Sequence, residues 1–222
     1  MERKKRGYER LVTKKRDYRL FAIACEGSVR EIEYFEKFEV LSSRISVDLI
    51  GEIDEEGNII NSRNSSPDHV LDRASKYYET AGLTDDDELW LVLDVDRWPK
   101  KDLSHLYQES FSKGWHVAIS NPCFEVWLCY HMEKDIPDRG IHMQSKYFKA
   151  HLHTLTSGGY SPEIYAPLAF DAIENAKDKD IDPDSRIPDY KVTHVYRLME
   201  NMRNYTSKSE LDKFIKKNLL SA

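Results

Sequence analysis

The sequence predicts an α/β fold in which a mostly parallel open sheet is followed by a helical elaboration. Three observations support this class. Strand and helix patterns alternate up to residue 119, as they do where strands run parallel. Residues 20–25 and 89–93 are apolar throughout, which is typical of strands covered on both faces. Beyond Ser120 only helical patterns follow.

The predicted elements can be placed in order along the chain. Four segments have the apolar character of strands: 18–25, 45–50, 89–93 and 115–119. Helices are predicted where apolar residues recur at helical spacing or capping residues bracket a segment: 30–41, 67–81, 99–113, 122–132, 144–152, 161–177, 192–204 and 208–220. Residues 51–66 are rich in Gly, Asn and Ser, so we expect a loop there.

Charge is distributed unevenly along the chain. The net charge is −6, but residues 1–19 hold nine Lys/Arg against three acids, a local balance of +6 that leaves −12 for the remainder. We therefore divide the chain into a basic N-terminal arm (1–17), an α/β domain (18–132) and a helical elaboration packed on the same core (133–222). The arm is expected to bind nucleic-acid phosphates, with a merely solvated tail as the alternative. Its candidate contacts are Arg3, Lys4, Lys5, Arg6, Arg10, Lys14, Lys15 and Arg16.

Composition excludes several classes of protein. A hydrophobic content of 40% is enough to fill a core, so the chain is expected to fold. No apolar stretch approaches the roughly 20 residues that a bilayer requires, and the chain opens on charges without an apolar signal region. Its three cysteines form no C-x-x-C pair, which argues against a zinc knuckle or a disulfide framework. We expect a cytoplasmic protein without a membrane partner.

Three carboxylates follow the predicted first and third strands. Glu26 comes directly after the first strand, and Asp94 and Asp96 come after the third. Ligands of open α/β sheets bind beyond the carboxyl ends of the strands, so these acids belong to that edge if the strands are neighbours. Asp94 and Asp96 are two residues apart, which in extended backbone places both on one side. Gathered acids favour a hard divalent ion such as Mg²⁺. The alternative is that they cap the following helices.

The segment Ser120-Asn121-Pro122 predicts the start of a helix after the fourth strand. Ser or Asn would be the N-cap and Pro the first helical residue, so the free N–H groups could hold a phosphate. Glu125 is a candidate metal ligand or a base for an attacking water, and equally a first-turn acid that complements the helix dipole.

Other residues near this segment are assigned to packing. The side chains expected in the core or buried as packing thiols are Cys123, Phe124, Trp127, Leu128 and Cys129. His131 stays open as a candidate general base, six residues beyond Glu125.

Three runs carry a resemblance to a known family: CEGSVREIEYF (25–35), LDVD (93–96) and SNPCFEVWL (120–128), the last followed by His131. In these runs the chain resembles the RloB-like proteins, which are encoded in bacterial restriction and phage-defence loci. That family is related to the TOPRIM fold, the metal-binding α/β domain of topoisomerases, bacterial primases and OLD-type nucleases. The resemblance extends to residues 193–200, and it implies a TOPRIM-like open sheet over residues 18–132.

The resemblance also implies a TOPRIM-type acidic triad at Glu26, Asp94 and Asp96. Two departures from the family's pattern are visible. Arg30-Glu31 stands where the family often has Thr-Glu, so Glu31 remains a supporting acid without the hydroxyl before it. Residues 190–192 replace an Asn-Pro-Ser segment ahead of Thr193, which puts the function of that loop in doubt.

Together these features predict a nuclease dependent on Mg²⁺ or Mn²⁺, acting on DNA or RNA in bacterial antiphage defence. Its candidate catalytic residues are Glu26, Asp94, Asp96 and Glu125, the first three as metal ligands. Glu31, Ser120 and Asn121 would support them. The alternative is a non-catalytic component of a defence system that binds nucleic acid or a partner protein. Nucleotidyl transfer, as in primases, is a third and weaker hypothesis.

Overall fold

A four-stranded parallel sheet organises the residues that the computed structural model describes, namely 17–27, 29–53, 59–60, 66–137, 144–157 and 159–219. The strands are β1 (Arg19–Cys25), β2 (Ile45–Ile50), β3 (Glu52–Ile53), β4 (Ile59–Ile60), β5 (Glu88–Asp94) and β6 (His116–Ser120). The sheet has the order β2-β1-β5-β6, and every neighbouring pair is parallel. The predicted α/β class is therefore confirmed.

Helices follow the strands and then continue without them. They are α1 (Arg30–Glu36), α2 (Pro67–Ala81), α3 (Lys100–Ser112), α4 (Glu125–Cys129), α5 (Ser145–Leu155), α6 (Pro162–Tyr165), α7 (Ala169–Lys177), α8 (Val195–Asn204) and α9 (Lys208–Leu219). Single 3₁₀ turns cover Lys37–Val40 and Ala166–Leu168. None of the described helices is long and apolar enough to cross a membrane.

Both faces of the sheet are covered, which explains why β1 and β5 are apolar along their length. On one face Ala22 and Leu91 pack with Val70 of α2 and Leu103 of α3. On the other face, side chains of β1 and β5 join a larger cluster with α1, α4 and the C-terminal helices. Its members include Phe21, Ile23, Trp90, Tyr34, Trp127, Met199 and Phe214. Burial on two faces leaves no polar alternation for a strand to show.

Helix α2 has the predicted start and stop signals. The Ser66 hydroxyl accepts from the His69 N–H, and Pro67 is the first helical residue, where its missing N–H costs nothing. Gly82 ends the helix at φ +60°, a conformation that a side chain disfavours.

Several predictions of secondary structure are wrong in part. Segments β3 and β4 pair as antiparallel strands inside the predicted 51–66 loop. The predicted 161–177 helix is interrupted, because Pro167 lacks an N–H donor and the chain passes through a 3₁₀ turn there. In addition, Ser120 forms an isolated antiparallel bridge with Thr193, so strand-like pairing does recur after residue 120.

Candidate functional site

Glu26 and Asp94 meet at the carboxyl edge of the sheet. Strands β1 and β5 are hydrogen-bonded neighbours with Cys25 opposite Val92, so the residues that follow them emerge side by side. The Glu26 N–H donates to the carbonyl of Val92 at 2.8 Å. In return the Asp94 N–H donates to Glu26 Oε2 at 3.0 Å. The predicted convergence of these two acids is therefore what the structure contains.

Asp96 lies at the same edge but outside the strand, which ends at Asp94. The N–H groups of Val95 and Asp96 both donate to the carbonyl of Pro122 at 3.1 Å, so the chain turns here rather than continuing extended. The Asp96 carboxylate accepts a hydrogen bond from the hydroxyl of Ser145, at the start of α5. Its side chain is 23% exposed, so it forms the solvent-facing margin of the site.

Glu31 joins the two strand-end acids from the first turn of α1. A Cβ atom at position 27 would lie 2.0 Å from Glu31 Oε2, so the carboxylate packs directly on the Cα of Gly27. Only glycine allows this approach without displacing Glu31. Of the Glu-Gly pair after β1, Glu26 thus supplies one acid of the site, and Gly27 makes room for a second, Glu31.

Glu125 reaches the same region from the first residue of α4. It is only 4% exposed, and its carboxylate is ion-paired with the guanidinium of Arg30. Arg30 also lies over the ring of Tyr160, 5.5 Å from its centroid. A buried carboxylate requires such a partner to remain ionised.

The pKa values show that these carboxylates act on one another. Burial, followed by the charges of Glu31, Glu26, Glu125 and Asp96, raises the pKa of Asp94 well above its ordinary value. Burial also raises the pKa of Glu31 to about 7, with Glu125 and Glu26 adding to the effect. The pKa of Glu26 is raised mainly by burial.

These five residues, Glu26, Glu31, Asp94, Asp96 and Glu125, are called the acidic edge below. Arg30 lies beside it, and the Arg97 Nε lies 4.0 Å from Asp96 Oδ1. Carboxylates that resist ionisation are stabilised in their charged form by a cation, and an all-oxygen donor set suits a hard divalent ion. The chemistry of the acidic edge therefore fits such an ion. Within the described ranges, no three His, Cys, Asp or Glu side chains are already spaced as metal ligands.

The predicted helix start at Ser120-Asn121-Pro122 is wrong. Helix α4 begins at Glu125, three residues beyond Pro122, so Pro122 is not a first helical residue. The Asn121–Pro122 peptide is cis. The Val126 N–H donates to the carbonyl of Cys123. A phosphate site at a helix start on Asn121 has no structural basis.

Ser120 and Asn121 instead hold residues 188–193 against the sheet. The Asn121 N–H donates to Val192 and its carbonyl accepts from Lys191, at 2.9 and 2.8 Å. Its side-chain amide donates to the Pro188 carbonyl at 2.8 Å. The hydroxyls of Ser120 and Thr193 are 2.7 Å apart. The segment that departs from the family's pattern is thus fixed beside the acidic edge.

His131 is a core residue and not a candidate base. Its Nε2 lies 3.0 Å from the Tyr34 hydroxyl, and its Nδ1 lies 3.0 Å from the Trp127 carbonyl. Burial lowers the pKa of His131 to about 3, so the ring stays neutral. The predicted burial of its neighbours is confirmed for Cys123, Phe124, Trp127, Leu128 and Cys129.

Two residues of the site, Arg30 and Ser145, were not predicted from the sequence. One predicted group, the basic residues of the N-terminal arm, lies outside the described residues. Arg30 and Ser145 contact Glu125 and Asp96 from 95 and 49 residues away, and no local pattern signals such pairs. The eight basic residues proposed for phosphate binding, from Arg3 to Arg16, lie outside the described residues.

An open parallel sheet with five carboxylates gathered beyond its strand ends defines an α/β protein with an acidic site. A family model described as RloB-like protein matches residues 21–202, and the chain belongs to this family. The recognition made from the sequence is therefore confirmed, while the relation to TOPRIM domains stays a prediction. Comparisons with curated proteins and with solved structures gave no match.

Proposed function

We propose that this RloB-like protein is a nuclease that hydrolyses phosphodiester bonds of DNA or RNA with Mg²⁺ or Mn²⁺ in antiphage defence. The observation that carries the proposal is the acidic edge. Elements distant in sequence place five carboxylates together, although burial and mutual repulsion raise the pKa values of Glu26, Glu31 and Asp94. Natural proteins keep such unfavourable clusters mainly where function requires them.

The residues that would hold the ion are Glu26, Asp94 and Asp96. A bound divalent ion supplies an activated water and stabilises the charge that develops on a scissile phosphate. The hydrogen bond from the Asp94 N–H fixes one oxygen of Glu26, and the Ser145 hydroxyl fixes one oxygen of Asp96. These contacts orient carboxylates before any ligand arrives, as supporting groups around metal ligands do.

Glu125 is the candidate base, with Arg30 as its positioning partner. The ion pair with the guanidinium holds this nearly buried carboxylate in a fixed position, as proton transfer to a positioned base requires. Glu31, packed on Gly27, keeps a further negative charge close to Asp94. Ser120 and Asn121 act at longer range by holding residues 188–193.

The decisive experiment incubates the purified protein with mixed DNA, RNA and tRNA in EDTA, Mg²⁺ and Mn²⁺. Cleavage is expected only with a divalent ion, and it should be lost in Asp94→Asn and reduced by about 100-fold or more in Glu125→Gln, because a positioned base contributes about that factor. Circular dichroism checks that both variants fold. Intact substrates with the wild type, or cleavage by Asp94→Asn, would contradict the proposal.

A non-catalytic binding protein is the second candidate, and one contact favours it. The ion pair with Arg30 already neutralises Glu125, as a purely structural salt bridge would. In that case the protein would bind nucleic acid or a partner protein of the defence system, and the acidic edge would serve structure or a metal-dependent switch. Mn²⁺ binding without cleavage of any nucleic acid would support this candidate.

A further inference from the structure

We propose that the cleft beside Asp96 binds one unpaired nucleotide next to the scissile bond, which makes single-stranded nucleic acid the substrate class. This inference rests on the proposed function, because it treats the cleft as the continuation of the acidic edge. The cavity has a volume of about 520 Å³, within the range of small-ligand sites. Its lining includes Asp96, Asn121, Gln144, Ser145, Lys146 and Tyr190.

One wall of the cleft is part of the candidate site. Asp96 belongs to the acidic edge, and Ser145, which also lines the cleft, donates a hydrogen bond to its carboxylate. A ligand that fills the cleft therefore reaches the margin of the acidic edge. The nucleotide adjoining the bond to be cleaved is the group that such a position would receive.

The other wall presents the ring of Tyr190. The next residue, Lys191, has φ 64°, which is rare for a residue other than glycine and persists only where its surroundings enforce it. The Lys191 carbonyl accepts from the Tyr130 hydroxyl at 2.6 Å, and its ammonium donates to two carbonyls of residues 136–137. Tyr190 also packs edge-on against Phe148. The aromatic ring is thus held at the cleft by a fixed backbone.

The chemistry of the lining favours a nucleotide over an apolar ligand. Aromatic rings stack on any base, because every base has a π face, and so they contribute to single-strand binding without sequence preference. The exposed Lys146 supplies a cation for a phosphate, and the exposed amide of Gln144 supplies a group that can pair with a base edge.

The cleft should discriminate between single-stranded and duplex nucleic acid. A base inside a duplex is stacked and paired, so it reaches a side pocket only after it has been flipped out, which costs free energy. An unpaired base avoids that cost. Single strands and loops should therefore be preferred to duplexes of the same sequence.

Fluorescence anisotropy of labelled single strands and of the matching duplexes tests this with the full chain, in EDTA and in Ca²⁺, with gels showing that the probes stay intact. Tyr190→Leu should weaken single-strand binding about tenfold, corresponding to one lost stack. Tyr190→Phe should retain single-strand binding. Lys146→Gln should flatten the slope of log affinity against log salt by the amount that one phosphate contact contributes. The matched controls are Tyr78→Leu on α2 and Lys149→Gln on α5, both outside the cleft.

Equal affinity for strands and duplexes, or wild-type binding by Tyr190→Leu, would overturn the inference. A small phosphodiester without a base, bis(p-nitrophenyl) phosphate, separates it from the proposed function. Mn²⁺-dependent hydrolysis of this ester together with unchanged strand binding by Tyr190→Leu would support the nuclease proposal and refute the proposed nucleotide cleft. The reverse pattern, DNA, RNA and tRNA all left intact by the wild type in Mn²⁺ but weakened strand binding by Tyr190→Leu, would support the cleft and refute the nuclease.

Discussion

Arg30 and Glu125 form an ion pair between residues 95 positions apart, and this pair joins the first helix after β1 to the helix after β6. Arg30 is partly exposed at 33%, whereas the Glu125 side chain is 6% exposed. The guanidinium therefore offsets the cost of burying this carboxylate at the acidic edge. Glu125 adds to the burial that raises the pKa values of Asp94 and Glu31, and Arg30 opposes this effect at Glu31.

Breaking this pair from either side should destabilise the protein. We expect Arg30→Gln and Glu125→Gln each to lower the free energy of unfolding by about 1–4 kcal/mol, because each leaves a charge without its partner. The double variant should lose less than the sum, which a double-mutant cycle in urea would reveal. Lys76→Gln, which breaks the exposed pair with Asp72, is the control and should change stability by less than about 1 kcal/mol. Additive losses would mean that the two residues act independently.

Glu31 should make the metal-free protein less stable as the pH rises. Its pKa is raised from 4.5 to about 7 in the folded state, so between these values the unfolded chain releases a proton that the folded protein keeps. Stability from this group is therefore full below about pH 4.5 and declines up to about pH 7, by roughly 3 kcal/mol at most. Urea unfolding in EDTA across this range should show a shallower decline for Glu31→Gln. Identical slopes for the two proteins would contradict the assignment.

Mn²⁺ should bind through Glu26 and Asp94. A ligand that binds only the folded state stabilises it, by about 2.7 kcal/mol at a hundred times the dissociation constant. Thermal unfolding with added Mn²⁺ should show this gain in the wild type and lose it in Glu26→Gln and Asp94→Asn. Asp171→Asn, an exposed acid on α7, should behave as the wild type. Equal Mn²⁺ affinity in all four proteins, measured by isothermal titration, would contradict the prediction that Glu26 and Asp94 hold the ion.

Ser145 should act as a positioning residue for Asp96. Ser145→Ala removes the hydroxyl that donates to this carboxylate, and we expect Mn²⁺ affinity to fall about tenfold, the lower end of what supporting contacts contribute. Ser110→Ala removes another buried hydroxyl on α3 and serves as the control for packing. If both variants bind Mn²⁺ equally well, the contact between Ser145 and Asp96 has no role in metal binding.

The sequence predicted those parts of the site that depend on strand ends alone. Glu26 and Asp94 follow continuous apolar strands, and the carboxyl ends of neighbouring parallel strands must share an edge. Ser145 lies on α5, a helix that the sequence predicts but whose packing position no local pattern signals, so its contact with Asp96 could not be read from the sequence. The helix start predicted at Pro122 was wrong because proline suits the first turn of a helix as well as a cis turn, and only the surrounding contacts decide between them.

The basic arm should supply affinity without sequence preference, although it lies outside the described residues. Deleting residues 1–16 removes eight Lys/Arg and leaves β1 in place. Each phosphate contact that is lost reduces the number of counterions that binding releases. The slope of log affinity against log salt should therefore flatten by about 0.7 per lost contact for single strands and about 0.9 for duplexes. Anisotropy of labelled DNA and RNA at several salt concentrations measures this slope. An unchanged slope and affinity would exclude phosphate binding by the arm, and would favour a role for it in contacts with a partner protein.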